Sequence, residues 1–336
     1  MHAPSPAPTA SPARVPRYHG ALHRYACFCA GGILFLITLG GLVTSNEAGM
    51  SVPDWPTTYG QNMFTFPWQD WVGGILYEHS HRLVAVGIST LITILSVALF
   101  FQERIWLRWM GAITPVFFLL EGILGGLRVV LSEDPLGIAH GCVAQLLFIT
   151  VSLIALFTSR WWIETSPKLI PPQWTGRVGA ISLLIFAQLV LGATMRHYHE
   201  GLSIDDFPLA YHQVWPKTDP ASVAAYNQLR LEHHEHPTTA FYILVQMAHR
   251  IGAVLITCCI LAATAGAWLA RGSAPELRKW SAVWTGMVFV QFGLGAWTVW
   301  SGKDAHVATT HVVVGALTLM TGALLTAMSA RLRRAA

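Results

Sequence analysis

The chain has 336 residues, of which 53% are hydrophobic and only 11% are charged, with a formal net charge of +4. Soluble globular domains carry roughly 25% charged residues, so this composition excludes soluble domains. The low charge and the high apolar content also exclude an intrinsically disordered chain and a long coiled coil. The chain is therefore predicted to lie in a lipid bilayer.

Eight apolar segments are long enough to cross a bilayer as helices. A helix needs about 20 mostly apolar residues to span the roughly 30 Å hydrocarbon layer. The apolar runs are continuous instead of alternating, which argues against membrane strands. The predicted spans, numbered one to eight, cover residues 25–44, 80–101, 107–128, 136–158, 177–196, 239–269, 281–300 and 306–329.

Lysine and arginine mark one side of this predicted membrane protein. They concentrate in the amino-terminal segment, in the connections after spans two, four and six, and at the carboxyl terminus, whereas residues 45–77 contain neither. Basic residues favour the cytoplasmic side, so both termini are predicted to be cytoplasmic in a multi-pass protein of the cell (inner) membrane. The Pro-, Ala- and Ser-rich start, residues 1–23, is predicted to be a disordered cytoplasmic segment, and no cleavable signal peptide is expected.

The two halves of the chain repeat the same motifs. Residues 49–56 match residues 201–208, and the His-Arg pair at 81–82 matches the pair at 249–250. Each half has four spans, so both copies enter the membrane from the same side and form a parallel repeat. The predicted fold is an all-α polytopic membrane protein of eight transmembrane helices in two pseudo-symmetric four-helix bundles. The predicted halves are residues 24–160 and 177–330, joined by a cytoplasmic linker, 161–176.

Four histidines inside the spans follow this repeat. Each lies in the first turns of an even-numbered span, so each half places two imidazoles at similar depth toward the outer face. Ionisable residues inside a span are costly and usually functional, and two imidazoles on different helices suit the axial ligation of one haem per half. A lone histidine bonded to a carbonyl is the alternative, and the spacing disfavours zinc or copper. The four are His81, His140, His249 and His311.

A carboxylate distinguishes the two halves. Glu78 precedes His81 by three residues and so lies on the same helix face, whereas the equivalent residue of the second half is Gln246. A carboxylate in an apolar site can act as an acid or a base. Glu121 and its counterpart Gln291 follow the same trend, with a packing or capping role for Glu121 as an equal alternative. The first half is therefore predicted to react and the second to assist.

Two arginines directly follow proposed ligands. They are Arg82 in the first half and Arg250 in the second. A guanidinium group binds a carboxylate through two parallel hydrogen bonds, so both arginines are candidates for contacts with haem propionates. Snorkelling of the side chains toward water is the alternative, and the sequence favours neither.

Six histidines lie in or beside the second long outer loop. A metal site is one interpretation of this group, and a solvated loop is the preferred one. Residues 219–232 of the same loop are predicted to form a short helix on the surface. The histidines are His197, His199, His212, His233, His234 and His236.

The order of these motifs resembles the haem A synthase family. The Glu-x-x-His-Arg motif, set within this order of histidines, is the specific part of a resemblance that covers nearly all of residues 24–330. It implies a membrane oxidoreductase that oxidises the C8 methyl group of haem O to the formyl group of haem A for terminal oxidases, with water as the oxygen source. The matching residues are Gly49, Pro53, Asp54, Trp55, Pro56, Glu78, His81, Arg82, His140, His249, Arg250 and His311.

The resemblance also assigns roles to the two halves. It implies that His249 and His311 hold haem b as a permanent cofactor. It implies that His81 and His140 receive the haem O substrate, and that Glu78 is the catalytic acid or base. The implied partners are haem O synthase and an electron acceptor in the membrane, while the formation of a homo-oligomer is left open.

The chain departs from this family at its cysteines. Many members carry a cysteine pair in an outer loop, whereas both long outer loops of this chain contain none. No outer disulfide is therefore expected, and any thiol-dependent step is in doubt. The cysteines are expected to be inert thiols within or beside the spans: Cys27, Cys29, Cys142, Cys258 and Cys259.

Two other classes of function stay open at this point. One is a di-haem b-type electron carrier linked to quinones, which the placement of all four ligands on one side of the membrane disfavours. The other is a haem-binding transporter or chaperone. Nucleic-acid binding is not expected, because the basic residues are spread through short loops.

Overall fold

A computed structural model describes residues 18–168, 170, 172–232, 235–270 and 274–333. Among these residues, eight helices are long and apolar enough to cross a membrane, which confirms the predicted spans. No strand occurs in the described part, where only two isolated bridges form, Thr58–Gln61 and Ala210–Gln213. The helices are α1 Gly20–Ser45, α2 Gly74–Phe100, α3 Ile105–Leu131, α4 Asp134–Thr158, α5 Arg160–Glu164, α6 Pro172–His197, α7 Pro220–Glu232, α8 Ala240–Leu269, α9 Pro275–Trp300 and α10 Ala305–Arg333.

Several helices extend beyond the predicted spans, and two of them enter segments predicted to lie outside the spans. Helix α1 begins at Gly20, so the end of the segment predicted to be disordered is helical. Leu22 packs against the amino-terminal core, and His23 Nδ1 lies 2.9 Å from the carbonyl oxygen of Ala155; these contacts stabilise the first turn. Residues 1–17 lie outside the described residues. Helix α6 likewise begins at Pro172, inside the predicted linker.

The short helix predicted in the second long loop is confirmed as α7. Asp219 precedes this helix and accepts hydrogen bonds from the N–H and the hydroxyl of Ser222, at 3.0 and 2.7 Å. A carboxylate at this position satisfies a free N–H of the first turn. The same hydrogen bonds hold the pKa of Asp219 below its usual value.

The spanning helices contact one another in the same cyclic order in each half. In the first half, α1 and α3 each contact both α2 and α4. In the second half, α6 and α9 each contact both α8 and α10. This arrangement is compatible with the predicted pair of four-helix bundles. The halves meet where α10 contacts α1 and α4, and where α4 contacts α6.

Each half has an apolar core, and further apolar side chains cover its outside. The first core contains Ile33, Leu95 and Phe148, and the second surrounds Trp284, whose Nε1 donates a hydrogen bond to the Thr318 carbonyl at 2.8 Å. Such an apolar outer surface would promote association in water, whereas lipid tails solvate it well. Exposed apolar side chains of the spans include Phe28, Phe35, Phe101, Leu183, Leu269 and Phe289.

Candidate functional site

In the first half, each proposed ligand lies against a glycine of a neighbouring helix. A Cβ atom on Gly40 of α1 would lie 3.2 Å from His81 Nε2. A Cβ atom on Gly125 of α3 would lie 3.3 Å from His140 Cε1. The imidazoles of His81 and His140 are within electrostatic range of each other. The bare backbone of the two glycines therefore lets both rings lie close against the neighbouring helices.

The second half repeats this arrangement. A Cβ atom on Gly192 of α6 would lie 3.3 Å from His249 Cε1, and one on Gly295 of α9 would lie 3.1 Å from His311 Cε1. The Nδ1 atoms of both histidines are buried and have no hydrogen-bond partner among the described residues. Buried polar atoms normally have partners, so these two rings are suited to contacts that the chain itself does not provide.

The donor set of each half fits a haem with two axial imidazoles. A neutral imidazole nitrogen is a common iron ligand, and His249 and His311 interact electrostatically, as the first pair does. A glycine lies against each of the four rings, where a larger side chain would crowd the imidazole. The same donor set and the same glycine contact occur in both halves.

Glu78 has a structural contact that its sequence position does not reveal. Its side chain is buried. Oε2 accepts a hydrogen bond from the Val52 N–H at 2.9 Å, and Oε1 accepts one from Arg82 at 2.6 Å. Glu78 therefore attaches the first long loop, residues 46–73, to the helix that carries His81.

Gln246 makes the same attachment in the second half. Its Oε1 accepts a hydrogen bond from the Ile204 N–H at 2.7 Å, and its Nε2 donates one to the Ile204 carbonyl at 3.0 Å. Val52 and Ile204 are equivalent in the loop motif. The glutamate and the glutamine therefore share one structural task, and they differ in charge and in their capacity to move a proton.

Arg82 and Arg250 also hold the loops. Arg82 donates hydrogen bonds to the carbonyls of Val52 and Asp54 at 3.0 and 2.7 Å. Arg250 donates to the carbonyls of Asp206 and Leu209, both at 2.7 Å. Both guanidinium groups thus bind the backbone of the repeated motif, and the propionate contacts stay a prediction.

The aspartate of the motif organises each loop from inside. Asp54 accepts hydrogen bonds from the N–H groups of Tyr59 and Gly60 at 2.7 and 2.8 Å, and Asp206 does the same for Tyr211 and His212. Partial burial acts to raise the pKa of Asp54, but these N–H groups and the Thr57 hydroxyl hold it below its usual value. The motif is therefore a loop fold that presents carbonyls to the arginines.

Glu121 contacts a proposed ligand directly. Its Oε2 lies 2.8 Å from His140 Nδ1, and both side chains are largely buried. At the equivalent place in the second half, Gln291 Nε2 lies 3.4 Å from His311 Nε2. Of the two roles that the sequence leaves open, the structure thus provides a polar contact with the ligand in addition to packing on α3.

Comparison with known proteins agrees with this geometry. A sequence model of the cytochrome oxidase assembly protein family matches residues 74–323, a stretch that contains all four histidines and Glu78. The chain belongs to this family. Its resemblance to haem A synthases, seen in the motifs, is confirmed by relatives with that name.

Curated relatives match the chain over most of its length. The Heme A synthase of Halalkalibacterium halodurans is 24% identical and covers 88% of this chain and 93% of its own. That of an Exiguobacterium strain is 24% identical, covering 87% and 88%. That of Rhizorhabdus wittichii is 24% identical, covering 94% and 93%. The similarity therefore extends through both halves.

The loop histidines of this family member do not form a common site in the described part of the chain, where no group of three His, Cys, Asp or Glu side chains could hold a metal ion. His212 is exposed, and His199 lies 3.7 Å from Glu47. His197 is instead buried at the end of α6, so the interpretation as a solvated loop is wrong for this residue. His233 and His234 lie outside the described residues. The five cysteines, all of them described, are free thiols.

Arg128 is a site residue that the sequence analysis misses. It lies on the α3 face that carries Glu121 and Gly125, since positions i, i+4 and i+7 share a face. The matching position of the second half is Thr298. A comparison of the two halves could have found Arg128, because it is a charged residue in one half whose counterpart in the other half is uncharged.

Proposed function

We propose that this protein is a haem A synthase, which oxidises the C8 methyl group of haem O to the formyl group of haem A for terminal oxidases. The observation that carries the proposal is the chemical difference between two halves of matching geometry. Glu78 and Glu121 occupy places where the second half has Gln246 and Gln291. Membership of the cytochrome oxidase assembly family and the names of the relatives support the same activity.

The two halves, residues 24–160 and 177–330, then have different tasks. His249 and His311 hold haem b as the permanent cofactor, and its chemistry there is electron transfer. His81 and His140 hold the haem O substrate. The repeated pair of imidazoles supports one haem in each half, and the exchange of Glu78 and Glu121 for Gln246 and Gln291 supports a substrate in the first half.

The overall oxidation of a methyl to a formyl group takes one oxygen atom from water and releases four protons and four electrons. An electron acceptor in the membrane takes the electrons. Glu78 accepts protons at its carboxylate, which the Val52 N–H and Arg82 hold in a fixed position one turn from His81. A positioned carboxylate is a suitable general base, and the amide of Gln246 is not.

The placement in the membrane follows from charge. The arginine- and lysine-rich connections and both termini lie on the cytoplasmic side of the inner membrane, and the four histidines lie toward the outer face. Eight apolar helices support the multi-pass part of this placement. Haem O synthase, as the producer of the substrate, is the expected neighbour in the membrane.

Turnover by the purified full-length protein tests the proposal. The protein is supplied with haem O and an electron acceptor, and the haems are then extracted and separated by chromatography. Wild type is expected to form haem A. Glu78→Gln, which preserves the loop attachment in the form used by Gln246, is expected to lower the rate at least about 100-fold, while the control Gln246→Glu retains haem A formation.

Three outcomes would contradict parts of the proposal. Protohaem alone, in protein purified from cells that make haem O, would favour the di-haem electron carrier. Haem O that binds and is released unchanged would favour a transporter or chaperone. A wild-type rate in Glu78→Gln would remove Glu78 from the chemistry while leaving the enzyme intact.

A further inference from the structure

Arg128 carries a guanidinium group inside the first half for which the described residues provide no ion-pair partner. It lies in the last turn of α3. Its Nε is buried and has no hydrogen-bond partner among the described residues, and no described carboxylate forms an ion pair with it. Glu78 and Asp134 act on it only electrostatically. A cation in a membrane span is costly unless it is paired, so a missing partner is significant.

The position of Arg128 places its donors beside the proposed substrate ligands. A Cβ atom on Gly49, in the first long loop, would lie 2.7 Å from Nη1 and 2.8 Å from Nη2. A Cβ atom on Gly137, at the start of α4, would lie 2.8 Å from Nε. Gly49 and Gly137 thus let the guanidinium group pack closely against the first long loop and against α4, one turn before His140.

The other arginine of this region is already occupied. Arg82 uses both terminal nitrogens for loop carbonyls and for Glu78. The second half has Thr298 at the position of Arg128. A cation at this position of the span is therefore a feature of the first half that the second half does not repeat.

We propose that Arg128 binds a propionate carboxylate of the porphyrin that the first half receives. This inference rests on the proposed function, because it takes the occupant of that half to be haem O. Guanidinium and carboxylate form paired, charge-assisted hydrogen bonds. The contact gives the charged donors the partner that the protein does not supply, and it fixes which edge of the ring lies near the first long loop.

Binding measurements on the full-length protein, with haem b in the second half, test this inference. The probes are haem O and its dimethyl ester, in which both propionates are neutral, and the dissociation constants come from spectral titration. Wild type is expected to prefer haem O. Arg128→Gln is expected to weaken haem O binding by about 10- to 100-fold and to leave ester binding unchanged.

Two controls separate a binding role from a structural one. Arg128→Lys keeps the charge and is expected to recover most of the preference for haem O. Thr298→Ala, at the matching position, is expected to leave both dissociation constants unchanged. The haem b spectrum of each variant reports whether the second half is folded.

The inference fails if Arg128→Gln weakens both probes equally, if it weakens neither, or if wild type does not distinguish haem O from its ester. Failure of the proposed function has a different signature. In that case the preference for haem O and its loss in Arg128→Gln persist, but wild type forms no haem A.

Discussion

The two halves of the molecule share one design and differ in charge at a few positions. Each attaches a long loop to an even-numbered span through a side chain three residues before a histidine, Glu78 in one half and Gln246 in the other. Each half places a glycine beside each of its two proposed ligand histidines. The scaffold is therefore common to both halves, and the chemistry is set by the side chains in which they differ.

The difference between Glu78 and Gln246 also separates a structural role of this position from a chemical one. A glutamine makes the loop contact as well as a glutamate, so the contact alone does not require a charge. A buried carboxylate costs free energy unless it is hydrogen-bonded, and here Arg82 and Val52 provide the bonds. Glu78 in addition pairs with the buried Arg82, and the proposed function gives the same carboxylate a role in proton transfer that an amide cannot take.

The largest effect is expected from removing one ligand in each half. His249→Ala should lose haem b, because an axial bond cannot be replaced by packing. His81→Ala should keep haem b and lose haem A formation. Optical spectra and extracted haem content of the two purified variants measure this difference. Full haem b content in His249→Ala would overturn the assignment of the second half.

Closing the space beside one imidazole should have a smaller effect. Gly125→Ala would place a methyl group 3.3 Å from His140 Cε1, and crowding of this kind costs about 1–3 kcal/mol in a packed site. Haem O binding is therefore expected to weaken about tenfold, as measured by spectral titration. Gly122→Ala on the same helix is the control, since nothing lies within 4 Å of its Cβ position. Equal binding in the two variants would show that the glycine is not part of a haem site.

The contact between Glu121 and His140 should affect the reduction potential of a haem bound in the first half. A carboxylate that accepts a hydrogen bond from the ligand imidazole increases its basicity and lowers the reduction potential of the iron. Glu121→Gln is expected to raise the midpoint potential of haem bound in the first half. Redox titration checks this, with Gln291→Glu expected to lower the potential of haem b. Unchanged potentials in both variants would leave Glu121 a packing role only.

The smallest effect is expected in the loop motif. Asp54→Asn removes charged hydrogen bonds to Tyr59 and Gly60, worth about 1 kcal/mol or less in a partly exposed loop. Because the pKa of Asp54 is lowered by folding, its contribution is complete above the unfolded value of about 3.9 and is lost as the pH falls through the lower folded value. Thermal stability at pH 7 should fall slightly in Asp54→Asn. A larger loss of stability near pH 3 than at pH 7 in this variant, relative to wild type, would contradict this sign.

Much of the site can be read from the repeat in the sequence. The paired positions of His81 and His249, and the exchange of Glu78 for Gln246, need only an alignment of the two halves. The partners of these side chains lie far along the chain, as Val52 does from Glu78, and no local pattern encodes such a contact. For the same reason, the sequence leaves the partners of Arg82 open and gives no sign that Arg128 lacks one.

The sequence by itself determined the eight spans, the duplication and the candidate residues for haem ligation and proton transfer. Hydrophobicity and helical spacing are properties of consecutive residues, so they can be read from the sequence without any knowledge of the fold. Only the tertiary structure decided what those side chains touch: loop carbonyls for Arg82 and Arg250, and a ligand imidazole for Glu121. Such contacts depend on how neighbouring helices face one another, and this is fixed by packing across the whole molecule.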